Sequence, residues 1–136
     1  MAKADFDIQF LDGEPSGTTT LYHPGDLLRG QVTIFTDSEV KCKSIQARLI
    51  WHTQGRGTKY QEKIAEKQLF EGTLNSGFPN SFDFSFDLPR DPWSYEGHYV
   101  SVVWAVEVDI DVPWGKDIKE EKPFLLRPLL TNEVTF

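Results

Sequence analysis

The chain is poor in the residues that build covalent or metal-centred chemistry. Its 136 residues include one cysteine, one methionine and three histidines. A lone Cys42 excludes a disulfide within the chain. Its alternation with Val40 reads as a small buried hydrophobe rather than a nucleophile, although Lys41 and Lys43 flank it. His23, His52 and His98 are the other transition-metal ligands, and none stands at the short spacing of a zinc site. No metal and no cofactor is expected. No apolar run approaches the roughly 18 residues that a helix needs to cross a bilayer. The first residues lack the charged-then-apolar pattern of a secretion leader. The expectation is therefore a soluble, cytoplasmic protein without an integral membrane segment, peripheral membrane association being left open. Internal repeats, low-complexity tracts and linkers are also missing, and the length fits one domain over residues 1–136.

Positive charge is scarce overall and concentrated where it occurs. The net charge is −7, which sets a long-range repulsion against nucleic acid and anionic membrane. Yet residues 41–67 carry Lys41, Lys43, Arg48, Arg56, Lys59, Lys63 and Lys67 against only Glu62 and Glu66. Such a segment is either a solvated hairpin face or a local patch for an acidic partner. Gly55-Arg56-Gly57 within it is too short to cradle phosphate and reads as a hairpin tip.

What is abundant is two-residue alternation. Val100, Val102, Trp104, Val106, Val108, Ile110 and Val112 form one face of a long strand, because successive side chains in a strand point to opposite sides. The other face carries Glu107, Asp109 and Asp111. Such a carboxylate row can hold calcium or a basic partner, but more often it keeps a sheet face wet and blocks edge pairing. The same alternation appears at Phe6, Ile8 and Phe10, at Leu28, Gly30, Val32 and Ile34, and at Phe82, Phe84, Phe86 and Leu88. It recurs at Ile45, Ala47, Leu49 and Trp51, which places Gln46, Arg48 and His52 outward. Val40 and Cys42 sit on the opposite parity, so a bulge near Lys43-Ser44 must reset the phase. Pro24-Gly25 fits a type II turn. Residues 59–70 are rich in helix formers, but Tyr60, Ile64 and Phe70 share a strand face, and a return strand is expected there. Gly30 inside its strand marks a bulge or a close backbone approach. About eight strands separated by turn signals predict an all-β, immunoglobulin-like antiparallel β-sandwich.

Three blocks are more specific than a generic sandwich. Tyr22-His23-Pro24-Gly25-Asp26 is followed by Gly30-Gln31-Val32. Ser81-Phe82-Asp83-Phe84-Ser85-Phe86-Asp87-Leu88-Pro89 precedes Pro92-Trp93-Ser94-Tyr95-Glu96-Gly97. Val106-Glu107-Val108-Asp109-Ile110 precedes Pro113-Trp114-Gly115-Lys116-Asp117. In this order, from about Ile8 to Leu126, the chain resembles the arrestin-like family, whose relatives include the bacterial sporulation-control proteins. The resemblance implies a non-enzymatic adaptor or scaffold. Most of those relatives carry two sandwiches in tandem. There is no Pro-Pro-x-Tyr motif here, and Leu129 to Phe136 is a short tail, so ligase recruitment and receptor sorting are not implied. A stand-alone or truncated unit is expected, one half of a two-domain protein being the alternative.

On this reading the chain binds protein partners, or a second copy of itself, through a sheet edge and the basic hairpin. The residues expected to meet a partner are Arg48, His52, Arg56, Lys59 and Lys63 on the hairpin, with Trp93 and Tyr95 in a loop. A rival reading uses Trp93, Tyr95 and Trp114 to stack on sugar rings, as in a carbohydrate-binding module.

Overall fold

Ten strands and no helix make up the residues that the computed structural model describes, 4–57, 59–113 and 115–128. They are β1 (Ala4–Phe10), β2 (Glu14–Ser16), β3 (Thr19–Tyr22), β4 (Leu27–Thr36), β5 (Val40–Gly55), β6 (Gln61–Leu74), β7 (Asn80–Asp87), β8 (Tyr95–Glu96), β9 (Val100–Asp111) and β10 (Ile118–Leu126). A three-stranded sheet runs β1-β4-β7, and a larger one runs β2-β3-β10-β9-β5-β6 with β8 on β9. All pairings are antiparallel except β3 with β10, which is parallel. The shortest strands are β2 and β8, three and two residues long. Neither is long enough to display a period.

The expected faces close the sandwich. Leu28, Val32 and Ile34 of β4 and Phe84 and Phe86 of β7 meet Ile45, Ala47 and Leu49 of β5 and Trp104, Val106, Val108 and Ile110 of β9. Burying each large apolar side chain is worth about 1.5–3 kcal/mol. Three rings, Phe10, Tyr22 and Phe124, pack edge to face with centroids 5.6–6.1 Å apart. The Tyr22 hydroxyl leaves this apolar cluster by donating to the Asp12 carbonyl at 2.7 Å, and the Trp104 indole N–H donates to the Pro92 carbonyl at 2.7 Å. Both buried polar atoms are thus satisfied. Trp51 is only half-buried, at the margin of the core against Tyr60.

The phase of β5 is reset where the parity of the sequence requires it. Cys42 pairs with Gly72 and Ile45 with Phe70, a register shift that returns Val40, Cys42 and Ile45 to one side. The Cys42 thiol is buried and donates to the Gly72 carbonyl at 3.0 Å. Burial pushes its pKa up, consistent with an inert side chain. Residues 61–74 form a strand, not a helix, because pairing with β5 outweighs the local helix propensity. Asp26 N–H closes the Pro24-Gly25 turn on the His23 carbonyl at 3.0 Å.

Gly30 is a close approach within the three-stranded sheet, where it lies between Phe10 of β1 and Phe84 of β7. A Cβ placed there would stand 2.4 Å from the Phe84 ring and 2.9 Å from the Gln9 carbonyl oxygen. Gly30→Ala is expected to lower stability by about 1–3 kcal/mol through overpacking, read as a reduced midpoint in urea unfolding. An unchanged midpoint would contradict this close approach.

Candidate interaction surface

The basic segment resolves into a hairpin of β5 and β6, the two longest strands. β5 lies between β6 and β9 and pairs with both. Register therefore decides what each cation meets. On the outer face one row reads Glu121, Glu107, Arg48, Glu66 across β10, β9, β5 and β6.

Arg48 is consumed by this row. Its Nε donates to Glu66, and one terminal nitrogen reaches Glu107 Oε1 at 3.1 Å and Asp109 Oδ2 at 2.7 Å. Glu107 and Asp109 are buried, Asp109 being 3% exposed. The carboxylate row expected to wet the sheet is instead covered there. The physical reason is that β9 is an interior strand of its sheet, so long side chains from β5 and β10 lie across it. The hydrogen bond from Arg48 holds the Glu66 carboxyl below the usual range; partial burial opposes this and Lys63 assists it. Beyond the far end of β9, burial and the charges of Asp109 and Asp111 hold the Asp117 carboxyl above the usual range. Among the described residues no group of three or more His, Cys, Asp or Glu is arranged to hold a metal ion.

His52 is also internal. It is 2% exposed, and its Nε2 lies 3.0 Å from Glu121 Oε2, reaching across β9. Arg48 and His52 thus lie on the expected face, but the expectation that they stand free for a partner is corrected. Both tie strands together. Lys63 is half-exposed and bridges to Glu66 at 3.4 Å.

Arg56 and Lys59 stand at the tip of the hairpin. With Thr53, Gln54, Gly55 and Val100 they line a shallow depression of about 200 Å³. Gly55 adopts φ +140° beneath the Tyr99 carbonyl, where a Cβ would stand 2.2 Å from that oxygen. Only glycine fits so close an approach. The Arg56 amide donates to the same carbonyl, and its guanidinium lies 5.8 Å from the Tyr99 ring centroid. Tyr60, Tyr99 and Val100 are exposed here, Tyr99 by 63%. The tip therefore combines two cations with an apolar surface. Neither Arg56 nor Lys59 makes an ion pair among the described residues. Val100, read from the sequence as part of the apolar face of its strand, is instead exposed, and Tyr99 was not read as a contact residue, because their neighbourhood with Arg56 depends on the pairing of β5 with β9.

Trp93 and Tyr95 line different depressions. Trp93 stands beside Glu14, Leu21, His23 and Arg127 in a groove of about 490 Å³. Tyr95 lines another with Thr19, Gln54, Glu96 and Ser101. The Arg127 carbonyl, 2.9 Å from His23 Nδ1, raises the His23 pKa; burial opposes this and Glu14 assists it. Trp114 lies outside the described residues.

Comparison with known proteins adds two findings. The sequence model of the family described as "Arrestin (or S-antigen), N-terminal domain" matches residues 57–132. The crystal structure of Spo0M, a sporulation control protein from Bacillus subtilis, is similar over 93% of this chain and 50% of its own, with TM-score 0.70 and 20% identity. That likeness is one of fold, and this chain spans half the length of that protein.

The division of cations predicts unequal costs. Arg48→Ala leaves Glu107 and Asp109 without their guanidinium and should lower stability by about 2–4 kcal/mol, allowing for its partial exposure. Arg56→Ala should stay within about 0.5 kcal/mol. Because the folded-state pKa of Glu66 is lowered, its contribution is present above its unfolded value and lost as pH falls through its folded value. Urea unfolding across acid pH should show that component diminished in Arg48→Ala. Equal costs for the two variants would contradict the division.

Proposed function

This chain belongs to the arrestin N-terminal domain family, and from that premise we propose that it acts in the cytoplasm as a non-catalytic adaptor. It engages a protein partner through the β5–β6 hairpin. The observation that carries this reading is the tip, where Arg56 and Lys59 border the exposed Tyr60, Tyr99 and Val100. An apolar surface rimmed by cations suits a segment that pairs acidic side chains with an apolar anchor. The chain is acidic overall, so an acidic partner is held off elsewhere and admitted here, which favours orientation as well as affinity.

The adjoining edge of β6 supplies the second element. β6 is the terminal strand of its sheet, and an open edge offers main-chain donors and acceptors for strand addition. Families of this fold act through surfaces, and the polar groups brought together on the outer sheet are spent on each other: Arg48 on three carboxylates, His52 on Glu121.

The test is affinity capture from the native source with the wild-type chain and with Arg56→Glu/Lys59→Glu. The variant should fold normally, since both positions are exposed, and should lose the captured protein. Wild-type capture should weaken as salt is raised. Retention of the same protein by the variant would overturn the assignment of the tip.

A further inference from the structure

The open edge of β6 carries a charge pattern that is complementary to itself. We propose that a second copy of this chain docks there, β6 against β6, antiparallel about a two-fold axis. Gln61 lies opposite Gln68, Glu62 opposite Lys67, and Lys63 opposite Glu66. This deepens the reading of that edge as a docking surface and rests on it.

Three observations fix the register. First, the Thr53 amide donates to the Tyr60 carbonyl at 2.8 Å, so the Tyr60 backbone faces β5. Alternation then turns the N–H and C=O of Gln61 and Lys63 toward the open edge. Farther along, Phe70 packs on Phe82 at 5.2 Å and the Lys67 ammonium reaches the Ser85 hydroxyl of β7 at 3.2 Å, so the main-chain edge of β6 is open toward the tip, with only the side chain of Lys67 turned to β7.

Second, a bulge sets the faces. Leu49 pairs with Ala65 and Ile50 with Lys63, leaving Ile64 without a partner opposite. Lys63 and Glu66 oppose Ile50 and Arg48 on the outer face, whereas Glu62 and Lys67 oppose Trp51 and Ala47 on the core side. In an unbulged strand, residues three or five apart point to opposite faces. Here the additional residue returns each pair to one face. A two-fold axis normal to the sheet keeps faces unchanged, so the bulge is what allows this register.

Third, charge selects the register. Every ionic pair in it joins opposite signs, and symmetry makes each occur twice. A slip of one residue sets Glu62 against Glu66 or Lys63 against Lys67. Like charges directly opposite are destabilising. Charged side chains and bulges on an edge ordinarily oppose association. On this strand the same devices admit one partner, the strand itself.

The experiment is a light-scattering and sedimentation measurement of mass on the whole chain, across a concentration series reaching the high-micromolar range. The mass should rise with concentration toward twice that of the monomer. Glu62→Lys or Lys67→Glu alone should weaken the dimer about tenfold, since each creates two like-charge pairs. The double variant Glu62→Lys/Lys67→Glu should restore it. Lys63→Pro removes an edge-facing donor and should abolish the dimer while leaving thermal unfolding of the monomer near that of wild type. Should the proline variant fail to fold, the charge swap decides. A chain that stays monomeric throughout, or a dimer indifferent to the swap, overturns the proposal. The tip variant Arg56→Glu/Lys59→Glu should dimerise like wild type, so loss of capture and loss of dimerisation are read separately.

Discussion

A guanidinium held between strands organises the outer half of this sandwich. Arg48 reaches Glu66 on β6 and Glu107 and Asp109 on β9, so one side chain from β5 clasps both of its neighbours. Buried carboxylates tolerate only a narrow set of arrangements, since an unpaired buried charge is far costlier than a displaced apolar group. The pairing of β5 with β6 and β9 is thereby confined to one register on this face, while Leu49 and Val106 confine it on the other. The His52–Glu121 contact extends the same clasp to β10. This register in turn places everything else on the hairpin: the bulge at Ile64, the phase of the open edge, and the tip where Gly55 passes beneath Tyr99.

This arrangement divides the cations into two populations that look identical in the sequence. Arg48 is structural. Arg56 and Lys59 reach solvent at the tip, and Lys63 lies between these roles, half-exposed yet bridged to Glu66. The consequence for function is spatial economy. A cationic, partly apolar tip and an unpaired strand edge belong to one hairpin, so a single element can orient a partner and offer it a ladder. Neither Cys42 nor the β9 carboxylates are poised for chemistry. Cys42 is buried and its thiol pKa is raised, and Glu107 and Asp109 are engaged in neutralising Arg48.

The fold was legible because its signal is local. Period-two alternation at Phe82, Phe84 and Phe86 or at Val106, Val108 and Ile110 needs no knowledge of neighbours, and the parity break at Cys42 announced its own bulge. The strand over residues 61–74 was legible from face-sharing despite helix-forming composition. β2 and β8 were not, since two or three residues carry no period, and the parallel pairing of β3 with β10 joins segments about a hundred residues apart. The candidate site was only partly legible. Which strand lies beside β5 is a non-local fact, and without it Arg48 and His52 read as exposed and Glu107 and Asp109 as a wetted row. The same gap hid Tyr99 and Val100 beside Arg56, and it grouped Trp93 with Tyr95 although they line separate depressions.

Arg48 is locked between strands and Arg56 is not, and the rest of the hairpin depends on that difference. Nitrogen-detected or proton-detected NMR of the arginine side chains measures it directly, through exchange of each Nε–H with water. The expected result is a resolved, slowly exchanging Nε–H for Arg48, with through-space contacts to Glu66, beside a rapidly exchanging one for Arg56. Comparable fast exchange at both would contradict it.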